Sequence, residues 1–67
     1  MPKKIRELKA FLLKAGCLIE KGKGSHTKWS HPKLPYKLTL SGNDGSDAKP
    51  YQENLVAKYI KEILDKQ

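Results

Sequence analysis

Cysteine occurs once in this chain, at Cys17, so no disulfide can close within it. One cysteine and two histidines are also too few for a structural zinc site, which takes four such ligands. Long apolar runs are missing. No stretch approaches the roughly 20 apolar residues of a membrane span, and no apolar core follows the charged residues 1–10 as a signal peptide requires. The expectation is a cytoplasmic protein with no membrane partner, no metal and no cofactor. Acidic residues are scarce as well: seven Asp and Glu stand against 14 Lys and Arg, a net charge of +7.

With 67 residues the chain makes one domain, spanning 1–67. A chain this small buries only about 60% of its unfolded surface, so any chemistry must take place on an open face. The core has to come from a few large residues: Ile5, Leu8, Leu12, Trp29, Leu38, Leu40, Ile60 and Ile63. The charge is unevenly spread. Residues 1–40 hold ten Lys and Arg against Glu7 and Glu20, a balance of +8, whereas residues 41–67 balance at −1. Segregated positive charge suits a polyanion, and nucleic acid is the usual one.

Ile5, Leu8, Leu12 and Ala15 repeat at helical spacing, with Gly16 where a left-handed C-terminal cap belongs, so a helix is expected over 3–15. Short strands follow at 17–21, 25–31 and 36–40, the first two joined through Gly22-Lys23-Gly24 and the last two through Pro32–Pro35. A loop over 41–49 leads to a final helix from about Tyr51, with Leu55, Val56, Tyr59, Ile60, Ile63 and Leu64 as its apolar stripe. The order α-β-β-β-α predicts an α+β fold, a three-stranded antiparallel sheet with two helices on one face.

Strand alternation sorts the side chains. Trp29 most needs burial, so Thr27 and Trp29 should face the helices while His26, Lys28 and Ser30 face water. Tyr36, Leu38 and Leu40 should point inward, Lys37 and Thr39 outward. Pairing Trp29 with Leu38 then also pairs Lys28 with Thr39. If the first hairpin pairs Lys21 with Ser25, Glu20 lands beside His26 as an orienting carboxylate, a register that also exposes Leu18. His31 lies an odd number of residues from His26, so the two are not expected to act as an acid–base pair. Gly22-Lys23 lacks the flanking residues of a P-loop, and residues 43–47 lack the spacing of a calcium loop.

The turn Gly22-Lys23-Gly24-Ser25-His26 carries the functional signal. Histidine titrates near neutrality, and glycines with flanking lysines suit a phosphate. Gly24-Ser25-His26, followed by Lys28, Trp29 and His31-Pro32, resembles the HicA toxin family, small ribonucleases of bacterial toxin–antitoxin pairs. The resemblance runs over about residues 5–40. It implies a fold like the double-stranded-RNA-binding domain, metal-independent cleavage of mRNA with His26 as the catalytic residue, and a HicB-like antitoxin as partner. Gly24 and Ser25 match the family's site-shaping turn. Lys23, Lys28 and Lys37 are the expected RNA-holding cations. The chain departs from the family pattern after the third strand, where Ser41-Gly42-Asn43-Asp44-Gly45 replaces a Val-Pro-His-Pro-like segment. The alternatives are a non-catalytic RNA-binding domain of the same fold and a protein-interaction domain whose basic face docks an acidic partner.

Overall fold

The computed structural model describes residues 3–66. Its elements are α1 (Ile5–Lys14), β1 (Leu18–Lys21), β2 (Thr27–Ser30), β3 (Leu38–Leu40) and α2 (Pro50–Asp65). The strands form one antiparallel sheet in the order β1-β2-β3. Ile5, Leu8 and Leu12 of α1 and Val56, Tyr59 and Ile63 of α2 meet Trp29, Leu38 and Leu40, so both helices cover the same face. The fold is therefore α+β and like that of the double-stranded-RNA-binding domain. No helix among the described residues is long and apolar enough to cross a membrane.

Local chemistry sets the helix ends. Glu7 accepts the Lys4 backbone N–H at 2.6 Å, and its charge lies in the first turn of α1, where the helix dipole favours an anion. At the other end Gly16 takes φ +91°, Cys17 N–H donates to Leu12 O and Gly16 N–H to Leu13 O, each at 3.0 Å. That pair of bonds is a Schellman cap. Pro50 opens α2, and buried Gln52 ties its start to Ser41, the residue that follows β3. Its amide accepts the Lys49 N–H at 2.8 Å and donates to Ser41 O at 2.9 Å.

Trp29 has no exposed surface, and its partners follow from that. Its indole N–H donates to Thr27 Oγ1 at 3.0 Å, and the Thr27 hydroxyl donates to Leu40 O at 3.1 Å. Trp29 pairs with Leu38 and Lys28 with Thr39, the register that alternation predicts. Tyr36 departs from expectation. It lies in the β2–β3 connection, is 45% exposed, and sets its ring edge-on to Tyr59 at 5.4 Å. Its carbonyl accepts the Tyr59 hydroxyl at 2.9 Å instead of serving the ladder. Pro32 and a turn from His31 to Leu34 shorten both flanking strands. Leu55 and Leu64 of the predicted stripe are exposed, Ile60 is only partly buried, and Cys17, Leu34 and Ala48 complete the core. Burial pushes the Cys17 thiol pKa up, which disfavours a thiolate.

The Thr27 relay is testable by denaturation. Thr27→Val leaves the indole N–H without an acceptor, so it should cost about 1–3 kcal/mol. Thr27→Ser keeps the hydroxyl and should cost about 1 kcal/mol or less for the lost methyl. Equal urea midpoints for Thr27→Val and the wild type would show that the relay holds nothing.

Candidate functional site

The β1–β2 connection is a turn with a bulge. His26 N–H donates to Lys23 O at 3.1 Å, while Gly22 N–H donates to His26 O at 2.9 Å, so Gly22 and Lys23 both face His26. Gly24 follows Lys23 at φ +61°, a left-handed value that glycine adopts without strain. Gly22 answers a different need. A Cβ there would stand 3.1 Å from His26 O and 3.5 Å from His26 Cβ.

The bulge moves the first hairpin by two residues from the expected register. Lys21 pairs with Thr27 and Glu20 with Lys28. Parity is unchanged, and Leu18 is exposed as that parity requires. The partner of Glu20 is different. Its carboxylate accepts from Lys37 Nζ at 3.2 and 3.3 Å on the open sheet face, two ladder positions from His26. Glu20 thus belongs with Lys28 and Lys37, not beside the imidazole. His26 itself lies one residue before β2, within the turn, so strand alternation does not govern it.

His26 lines a cavity of about 260 Å³ at the end of the sheet. Lys9, Lys21, Gly24, Ser25, Thr27, Gly42, Asn43 and Asp44 complete its wall; Lys23, Lys28 and Lys37 do not take part. Lys21 shares the helix-covered face with its partner Thr27, and Lys9 comes from α1. Sequence reasoning missed Lys9, Lys21, Asn43 and Asp44. Lys9 carried a faint signal, since it lies one turn beyond Ile5, at the border of the buried stripe of α1.

The loop over 41–49 reaches the cavity because α1 needs it. The first N–H groups of a helix have no partner inside it. Here Ile5 N–H donates to Ser46 O at 2.9 Å and Arg6 N–H to Asp44 O at 3.1 Å. Lys4–Asp47 and Lys9–Asp44 ion pairs, at 2.5 and 2.6 Å, add to the docking. His31 stands elsewhere. Its Nδ1 accepts the Lys33 N–H at 3.1 Å, and its ring packs beside Gly16. Among the described residues no three of His, Cys, Asp and Glu gather as a metal site would need.

The element order fits one known group. A family model described as HicA toxin of bacterial toxin-antitoxin matches residues 5–62. The chain belongs to the HicA toxin family. No curated protein and no solved structure matches it. The match extends the resemblance beyond the third strand, to include the 41–49 loop and most of α2. Gly42, Asn43 and Asp44, of the loop after the third strand, lie in the same cavity as His26.

Gly22→Ala tests the close approach at the turn. It should shift the backbone amide resonances of residues 22–27 while leaving those of α2 in place. An unchanged amide spectrum would show that the turn accepts a side chain there and that the glycine is not what seats His26.

Proposed function

We propose that this HicA-family toxin is an endoribonuclease that cleaves mRNA without a metal ion, held in check by a HicB-like antitoxin. The observation that supports the reading best is the single cavity wall that carries His26, two lysines and the Gly24-Ser25 turn. Imidazole can take a proton near neutral pH, and ammonium groups beside it suit a phosphodiester. His26 accepts the proton of a ribose 2′-hydroxyl, the 2′-oxygen bonds to phosphorus, and the bond from phosphorus to the 5′-oxygen breaks. That oxygen takes a proton from water. The products are a 2′,3′-cyclic phosphate and a free 5′-hydroxyl, and the base contributes about 10²–10⁴-fold.

Gly24 and Ser25, in the cavity wall, hold the phosphate through backbone N–H groups, and Lys23, beside them in the turn but outside that wall, adds its charge. Lys28 and Lys37, on the open face, meet the RNA backbone as it leaves the site. Lys28 is free of any carboxylate in ion-pair contact among the described residues, whereas Lys37 must exchange Glu20 for a phosphate.

Induction of the wild-type chain should arrest bacterial growth and degrade mRNA, and His26→Ala should be folded and tolerated. Cleavage should persist in excess EDTA. Growth arrest by His26→Ala as strong as by the wild type would refute the catalytic role. A His26→Ala protein that still binds RNA, beside a wild type that never cuts it, would leave an RNA-binding domain instead.

The open-face lysines can be tested separately, in a His26→Ala background. Removing a lysine that neutralises one phosphate flattens the slope of log affinity against log salt by about 0.7–0.9. Lys28→Ala should do so, and Lys61→Ala, at an exposed position of α2, should not. Equal slopes for the two variants would mean that positive charge acts diffusely and that the sheet face is not the path of the RNA.

A further inference from the structure

The geometry points to Lys9 as the cation that meets the scissile phosphate beside His26, with Asp44 as the positioning residue that holds it ready. This inference rests on the nuclease reading of the His26 cavity and adds to it a cation from the same cavity wall. Lys9, Asp44 and His26 come from three separate parts of the chain, α1, the 41–49 loop and the hairpin turn, and line one cavity.

Asp44 is held twice by the same helix. Its carbonyl accepts the Arg6 N–H at 3.1 Å, and its carboxylate accepts from Lys9 Nζ at 2.6 Å, one helical turn further on. Backbone and side chain together therefore fix where the ammonium stands. Lys9 is the less exposed partner, with 22% of its side-chain surface accessible against 66% for Asp44. An ammonium has three donors, and among the described residues Asp44 is the one side chain that Lys9 bonds. Two donors are left to turn toward a ligand in the cavity.

Docking of the loop does not by itself account for the pair, because backbone bonds already hold the loop to α1 and a partly exposed ion pair adds little to folding. A fixed cation beside a general base has a clear chemical use. The dianionic phosphorus centre formed by attack of the 2′-oxygen carries more charge than the ground-state diester, and a preorganised donor stabilises the extra charge most. Asp44 has two opposed effects. It holds Lys9 in place, and its negative charge repels the incoming phosphate. Lys9 therefore keeps Asp44 on one donor while its other two meet the phosphate, and the hold on the cation comes with a penalty in binding.

That opposition gives the experiment its signature. Steady-state cleavage of a defined single-stranded RNA oligomer is measured for the wild type, Lys9→Gln, Asp44→Asn and His26→Ala, with folding checked by circular dichroism. Lys9→Gln should lower kcat by about 10²–10³, with a small change in KM. Asp44→Asn should move the two constants in the same direction: KM falls because a repelling charge is gone, and kcat falls because Lys9 loses its hold. A merely structural role would produce no such split. Wild-type kcat in Lys9→Gln, alongside an inactive His26→Ala, would overturn this inference and leave the nuclease reading standing. So would unchanged kcat and KM in Asp44→Asn, a test that remains even if Lys9→Gln fails to fold. Full activity in His26→Ala would overturn both.

Discussion

The place of the Trp29 indole decides the rest of this fold. It is the largest side chain in the protein, and it has no exposed surface. Once it faces the helices, Thr27 must follow it inward and Lys28 must face water. The pairing with Leu38 then sets β3, and the N–H of the indole needs an acceptor, which the Thr27 hydroxyl supplies while bonding Leu40 O. Three strands of three or four residues each would be marginal alone. They persist because α1 and α2 close over the same tryptophan. The polarity of the sheet, and with it the position of every lysine on the open face, descends from this one burial.

Alternation around Trp29 was therefore legible, and so were the element order and the cap at Gly16. Each depends on residues close in sequence or on one dominant hydrophobe. The first hairpin was not legible to the same degree. Its faces could be read from parity, but its register rests on how Gly22 and Lys23 share His26, and two-residue slips preserve parity. Tyr36 was misread for a related reason. Its distance from Leu38 places it inward in a regular strand, yet the turn after Pro32 ends the ladder before it. Nothing local marked the 41–49 loop as part of the site. Its partners are the spare N–H groups of α1, some forty residues earlier.

The docked loop also changes the meaning of the charge distribution. In sequence, positive charge lies in residues 1–40 and the acidic residues gather later. In space the two halves are brought together, since Asp44 and Asp47 fold back onto Lys9 and Lys4. Glu20 meets Lys37 across the sheet. Lys21, Lys23 and Lys28 on the β1–β2 hairpin keep their charge free of any carboxylate in ion-pair contact among the described residues. The hairpin that carries His26 thus holds three lysines whose charge no ion pair offsets.

The make-up of the cavity wall limits what it can read. Lysines, small polar side chains, glycines and one aspartate surround His26, and no Phe, Tyr or Trp is among them. Bases of single-stranded RNA are gripped chiefly by stacking on aromatic faces and by bonds to their edges. Cations and backbone N–H groups grip phosphates, and contacts to phosphate fix position without reading sequence. On the proposed function, then, the site recognises the sugar–phosphate chain and the accessibility of the 2′-hydroxyl. On the same proposal the bulge at Gly22 has a use: it lifts His26 out of the strand's alternation and sets it at the end of the sheet, where a flexible RNA backbone would reach an imidazole and its lysines without a base having to enter.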